Sequence, residues 1–291
     1  MPPLGMDDTE VRAALAAPRP PGDIPVHLNA DYLQLPPAGP QAIVRAHVDL
    51  SALRWQEVAG RRQAALDAWG GVFDASGRAI GEPFGRHSDL DLTTEQHRRA
   101  TKEGFQYRQQ VALPPGRYEI RFVAAESHAG RLGGASQWLD IPDLSEKKLA
   151  MSSVFLSSAG TGGPNAAAPN AAAHGQDTVA GGDEALHAVP ALRRFKRDDS
   201  LYFQVYVYNP AVDEKGSSDV VLQAQIWSGG KVIAASKPRP AALERRDDLP
   251  VPETNGMSLQ GLEPGDYNLK VVVVDRKGDA TINGSTDLTV E

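Results

Sequence analysis

Apolar residues recur at every second position through much of this chain, which is the spacing of half-buried strands and not of helices. From Val26 the alternation puts Val26, Leu28, Ala30 and Tyr32 on one face, and a second run, Ile43 to Leu50, follows the turn Pro36-Pro37-Ala38-Gly39-Pro40. Ala64 to Phe73 predicts another strand, which Asp74-Ala75-Ser76-Gly77 turns into a hairpin with Arg78-Ala79-Ile80. Further on, Lys148 to Leu156 reads as a strand. In the strongest one, Leu201, Phe203, Val205 and Val207 share a face opposite Tyr202, Gln204, Tyr206 and Tyr208. Two stretches break the alternation. Asp8-Thr9-Glu10 followed by Val11 to Ala17 predicts a capped short helix stopped by Pro18, and Thr94 to Glu103 predicts a surface helix with Gly104 as its stop.

A duplication underlies the pattern. Leu113-Pro114-Pro115-Gly116-Arg117-Tyr118 recurs as Leu262-Glu263-Pro264-Gly265-Asp266-Tyr267, with Leu, Pro, Gly and Tyr in matching places. Upstream, Ser76-Gly77-Arg78-Ala79-Ile80 matches Gly229-Gly230-Lys231-Val232-Ile233 at a similar interval. A Pro-Gly turn leading into a strand that opens on Tyr is the signature of the tyrosine corner in immunoglobulin-like sandwiches, where the phenol bonds nearby backbone. The expectation is therefore all-β: two immunoglobulin-like antiparallel β-sandwiches in tandem, with Tyr118 and Tyr267 mostly buried as structural corners. Residues 1–21 form an arm with a short helix, 22–143 the first sandwich and 144–291 the second, with the boundary near Pro142-Asp143-Leu144. Ser157 to Ala185, built mostly of Ala, Gly, Pro, Asn and Ser, reads as a flexible insertion that cannot bury a core.

A length of 291 residues suits two domains. The formal charge of −7, from 30 basic and 37 acidic residues, argues against a nucleic-acid partner. No apolar run approaches the ~20 residues of a membrane-spanning helix, so membrane insertion is not expected. With no cysteine, disulfides, thiolate metal sites and thiol nucleophiles are excluded. The first residues, Met1 to Asp8, lack the basic and apolar regions of a secretory signal, which leaves a cytoplasmic chain or a segment of a longer one as the expectations.

Candidate chemistry is sparse. No metalloprotease, nucleophile-elbow, phosphate-loop, dinucleotide or calcium-loop motif occurs, so neither catalytic residues nor a cofactor or metal site are expected. The seven histidines lack metal-ligand spacing; His27 and His47 lie on neighbouring strands and are read as half-buried strand residues satisfied by backbone. Asp89/Asp91, Asp198/Asp199 and Asp247/Asp248 sit at turns or strand ends, where Asp bonds local backbone. Arg193-Arg194-Phe195-Lys196-Arg197 reads as a solvated approach to a strand, partly neutralised by Asp198 and Asp199. The tyrosine row of Tyr202, Tyr206 and Tyr208, with Trp227, offers flat amphipathic surfaces suited to a protein interface or to sugar stacking. The competing reading is that these rings lie against neighbouring side chains or the other domain.

The stretch from Glu10 to Leu53, the hairpin Gly71-Val72-Phe73-Asp74-Ala75-Ser76-Gly77-Arg78, and Lys102-Glu103-Gly104-Phe105-Gln106-Tyr107 leading to Leu113-Pro114-Pro115-Gly116-Arg117-Tyr118 resemble the C-terminal region of von Willebrand factor A-related proteins of Acidobacteria. The resemblance implies an exported, extracytoplasmic accessory segment. The A domain itself is absent: Asp49-Leu50-Ser51-Ala52-Leu53 and Asp74-Ala75-Ser76-Gly77-Arg78 both lack the second serine of its Asp-x-Ser-x-Ser metal motif. The expected function is a non-catalytic structural or protein-interaction module, with a protein partner or self-association. A carbohydrate-binding module is the alternative, and a hydrolase whose site converges only in space is a third.

Overall fold

The computed structural model describes residues 7–17, 20–127, 130–158, 191–241 and 252–291. The first half runs α1 (Asp8–Ala16), β1 (Val26–Leu35), β2 (Gly39–Val48), β3 (Gln56–Val58), β4 (Arg61–Asp74), β5 (Ala79–Leu92), α2 (Thr94–Glu103), β6 (Phe105–Ala112), β7 (Gly116–Glu126) and β8 (Leu132–Ile141). The second runs β9 (Ala150–Met151), β10 (Phe155–Ser158), β11 (Arg194–Phe195), β12 (Ser200–Tyr208), β13 (Val220–Ser228), β14 (Lys231–Ala235), β15 (Arg239–Pro240), β16 (Pro252–Ser258), β17 (Gly265–Asp275) and β18 (Ala280–Val290).

The two halves repeat one topology. A three-stranded sheet β1-β2-β6 is matched by β10-β12-β16, and the facing sheet β5-β4-β7-β8 is matched by β14-β13-β17-β18. The chain is thus all-β, with two immunoglobulin-like sandwiches in tandem. Both Pro-Gly turns have the same backbone, φ +156° at Gly116 and +157° at Gly265. At Gly116 the positive φ favours glycine, and a Cβ would also crowd the Tyr118 phenol oxygen at 3.1 Å. Each corner tyrosine donates to the carbonyl four residues back, Tyr118 to Pro114 at 3.0 Å and Tyr267 to Glu263 at 2.7 Å. Tyr118 is buried, but the expectation of a buried corner is corrected at Tyr267, which is only half-buried because it borders open space together with Asp266 and Asn268.

The inward rows build each core. Leu201, Phe203, Val205 and Val207 pack with Leu222, Ile226, Leu269, Val271 and Val273 between the sheets of the second sandwich. In the first, Ala46, Val48, Leu66 and Phe122 do the same at one end, and Ala42, Val44, Val72 and Ile120 at the other. Helix α1 carries a capping box, Asp7 with Glu10. It lays Val11 and Leu15 on Phe73 and Val123 of the outer face of β4 and β7. Its last turn is closed by the Arg121 guanidinium, which donates to the Leu15 carbonyl at 3.1 Å and lies 4.3 Å from the Phe73 ring centroid. Helix α2, capped by Thr93 and Gln96, has no fully buried residue and rests His97 on Trp55 and Ala100 on the core. Among the described residues, no helix is long and apolar enough to cross a membrane.

The stretch Lys148 to Leu156 is two short strands, β9 and β10, and not the single strand its pattern predicts. Between them Ser152 and Ser153 leave the ladder to join the two halves. The Ser152 hydroxyl accepts from Tyr206 N–H at 2.9 Å, while Ser153 N–H donates to the Tyr32 carbonyl at 3.0 Å and its hydroxyl accepts from Tyr32 N–H at 2.7 Å. Ser157 and Ser158 belong to β10; the rest of the expected flexible insertion lies outside the described residues.

Candidate functional site

The outer face of β12 is spent on the junction between the sandwiches. Tyr206 and Tyr208 are 1% and 6% exposed and share a cluster with Tyr32, Leu33, Ile43 and Phe155. Tyr32 and Tyr208 approach to 6.1 Å between ring centroids, and the Tyr208 hydroxyl accepts from Gln34 N–H at 3.0 Å. Burial raises the pKa of both phenols, that of Tyr206 to about 12. The expected outward row of Tyr202, Tyr206 and Tyr208 is therefore corrected. Two of its three rings face the other sandwich, and Tyr202 is half-buried across Gly256 of β16.

Beside the tyrosines sits a charged cluster that sequence reading missed. Asp31, 3% exposed, accepts from Arg45 Nη1 at 2.9 Å and from Arg193 Nη2 at 2.9 Å and 3.2 Å. Burial draws the Arg45 pKa down to about 10, opposed by the Asp31 charge and reinforced by Arg108 and Arg193. Arg193 also reaches the Thr286 hydroxyl, and the Asn29 carboxamide reaches the Ala191 carbonyl. The reading of Arg193 as part of a solvated run is corrected: only its neighbours face water, Arg194 near Glu291 and Arg197 near Glu263, both at 3.6 Å. The available signal was Asp31 and Arg45 on the polar face of β1 and β2, but nothing local said that this face would be covered.

The covered junction leaves an open cleft of about 1400 Å³ next to it, walled by β1 and β8 of the first sandwich and floored by β13, β17 and β18 of the second. Cross-strand pairing lays the floor out in rows, Trp227 beside Asn268 beside Asp287, then Gln225 beside Lys270 beside Ser285. The half-buried Trp227 donates through Nε1 to Gln225 at 3.1 Å, and the Lys270 ammonium lies 5.7 Å from its ring centroid. Asn268 donates to Asp287 at 2.8 Å, and Thr289 to Asp266 at 2.8 Å. His27, Asn29, Ser136 and Gln137 form the opposite wall. Gln137 is held there because its carboxamide pairs with both backbone groups of Ala30, at 3.0 Å and 2.9 Å, across the sandwich edge. Of the predicted surface residues, Trp227 alone lies in this cleft. Trp138, which sequence reading did not single out, is 45% exposed on β8 with Arg117 stacked 4.9 Å from its centroid.

The remaining sequence candidates disperse. Among the described residues, no three His, Asp or Glu side chains gather as a metal site. Asp89 meets His87, Asp91 meets Arg61, and Asp199 accepts from Lys196 N–H; Asp247 and Asp248 lie outside the described residues, as do His128, His174 and His187. His27 and His47 are direct cross-strand partners, 6.2 Å between centroids. His47 Nε2 must carry its proton, since it meets the Glu103 carbonyl at 3.0 Å, and Nδ1 is buried without a partner among the described residues.

Burial lowers the pKa of both rings, with Arg194 adding to the effect at His27; Asp49 opposes at both rings, and the bond to the Glu103 carbonyl opposes more strongly at His47. A histidine whose folded pKa lies below its unfolded value takes up its proton preferentially in the unfolded chain. Its contribution is present above about 6.5 and is lost as pH falls from there toward the folded value. His87 has the opposite sign: burial opposes its charge, but hydrogen bonds to Asp67 and Asp89 outweigh it and raise the pKa. That contribution is present below about 6.5 and fades above it. Comparing melting temperatures of wild type and His47→Gln between pH 7.5 and 5 isolates the first effect. Wild type should lose ground to the variant as the pH drops, and parallel curves would refute the assignment.

No protein-family model matches the chain, and no curated protein matches it. Among solved structures it resembles the fibronectin(III)-like modules of Clostridium thermocellum CbhA, at 11% identity over 86% of this chain and 85% of that chain, with a TM-score of 0.20. The fold rests on the strand order and the two tyrosine corners, not on this likeness.

Proposed function

We propose that this chain is a non-catalytic binding module of a larger exported bacterial protein, in which two sandwiches are held together so that their shared cleft keeps its shape. The carrying observation is that the cleft has a wall from one sandwich and a floor from the other, with the Tyr206/Tyr208 and Asp31/Arg45/Arg193 contacts fixing the two beside it. Its floor carboxylates Asp266 and Asp287 each accept a hydrogen bond from a neighbouring side chain, which fixes their orientation and suits them to positioning a ligand. The resemblance to von Willebrand factor A-related proteins supports export. The test is a screen of purified chain against chromogenic esterase, glycosidase, phosphatase and peptidase substrates, where no turnover is expected and activity that survives repurification would overturn the reading.

A second reading, a protein partner or a second copy of the chain, is favoured by β14. Among the described residues this edge strand is paired only to β13, and it exposes Val232 and Ile233 at 45% and 52%. Sedimentation at rising concentration measures it directly.

A further inference from the structure

The two sandwiches carry the same construction on the outer face of their four-stranded sheets, and among the described residues only one of them is covered. Phe73 pairs across the ladder with Glu119, the residue after Tyr118; Trp227 pairs with Asn268, the residue after Tyr267. Arg121, three residues after the first corner, lies over Phe73, and Lys270, three after the second, lies over Trp227. Register and cation are thus duplicated. In the first sandwich α1 seats on this face, and Arg121 is bound to its last turn. In the second the same face is the floor of the cleft, and among the described residues Lys270, Asn283 and Ser285 make no side-chain hydrogen bond.

Substitutions between the copies alter what the face can hold. Glu119 and Trp138 of the first face correspond in register to Asn268 and Asp287 of the second. The open face therefore offers an amide, a carboxylate, an ammonium and a hydroxyl around one indole, where an apolar helix would desolvate all four and leave the ammonium and the hydroxyl without a partner. Charge narrows the choice further. With Arg193 tied to Asp31, Arg194 and Lys270 stand against Asp266, Asp287 and Glu291 along the lining, a mixed set that favours neither a polyanion nor a polycation. Its volume of about 1400 Å³ exceeds the ~300–1,000 Å³ of pockets that enclose one small molecule. An uncharged, extended ligand rich in hydroxyls, with apolar C–H faces to lie on an indole, meets these conditions together.

We infer that the cleft binds a neutral oligosaccharide several sugar units long, with Trp227 as the stacking platform and Asn268, Asp287, Lys270 and Ser285 bonding its hydroxyls. This rests on the binding-module reading above and specifies its ligand.

The test titrates the full chain calorimetrically with cellohexaose, mannohexaose and chitohexaose, and with hexagalacturonic acid and a heparin hexasaccharide as acidic counterparts. At least one neutral hexasaccharide should bind. Trp227→Ala should weaken it about tenfold or more, equivalent to ~1.4 kcal/mol. Ser285→Tyr, which crowds the floor from the next row, should do the same if the first variant folds poorly. Trp138→Ala, on the other sandwich and outside the lining, should leave affinity unchanged. Preference for either acidic probe, loss of binding in Trp138→Ala with retention in Trp227→Ala, or no binding to any probe would overturn the inference. None of these involves turnover, so the non-catalytic reading stands or falls separately in the substrate screen.

Discussion

Replacing Asp31 by Ala should destabilise the chain by about 3–5 kcal/mol, because it strands the buried guanidinium of Arg45 and the largely buried one of Arg193 without their shared counter-charge. The side chains of Asp31, Arg45 and Arg193 are 4%, 7% and 11% exposed, and the one carboxylate serves both cations. Deleting it removes attraction while leaving the desolvation cost of the arginines in place. The Nε atoms of Arg45 and Arg193, buried without partners among the described residues even with Asp31 present, offer no existing hydrogen bond to absorb the loss. The cluster spans the junction, so unfolding in urea should also separate into two transitions, one per sandwich. Replacing the three residues together by Leu, Met and Met should recover most of the stability, since a buried ion cluster is often no better than a packed apolar one. A loss below about 1 kcal/mol for Asp31→Ala would mean that the arginines relax to solvent and that the junction is not held in this way.

Tyr206 provides the second large effect and separates packing from polarity. Its side chain is 1% exposed, so Tyr206→Ala should leave a cavity between the sandwiches and cost about 3–5 kcal/mol. Its hydroxyl, by contrast, is buried with no partner among the described residues. Tyr206→Phe should therefore be neutral or slightly stabilising, since nothing is broken and a desolvated polar group is removed. Tyr208→Phe should cost roughly 1–2 kcal/mol, because the Gln34 N–H then loses its acceptor inside the junction. Denaturant melts of the three variants check the order. Near-equal losses for the two Phe variants would show that the hydroxyls do not differ in the way their contacts indicate. A well-tolerated Tyr206→Ala would return the ring to the surface and reopen its use as a contact for a partner.

These outcomes turn on how far a strand's pattern reaches. The period of two placed Leu201, Phe203, Val205 and Val207 on a common face, and that face is core. It separated Tyr206 and Tyr208 from them equally well, but it did not say what lay on the other side, and the amphipathic chemistry of tyrosine suits solvent and interface alike. β2 shows the same gap from the opposite direction. Ile43, Arg45 and His47 alternate with core residues as an outward row would, yet all seven residues from Ala42 to Val48 are buried. Only the identity of the covering element explains this, and Phe155 and Arg193 from the second sandwich and Glu103 from α2 supply it.

By itself the sequence determined the local and repeated features: strands from alternation, α1 from its cap and proline stop, α2 from its polar run ending at Gly104, the paired corners at Tyr118 and Tyr267 from the duplicated Pro-Gly turn. Each depends on residues a few positions apart, whose mutual geometry the backbone dictates. Tertiary structure alone decided the junction and the cleft. Asp31 meets Arg193 across 162 residues, and Tyr208 meets Gln34 across 174. Which outer faces are covered, and that among the described residues the second sandwich's floor stays open where α1 closes its counterpart, follow from how two finished sandwiches pack, and packing between distant surfaces leaves no period in the chain.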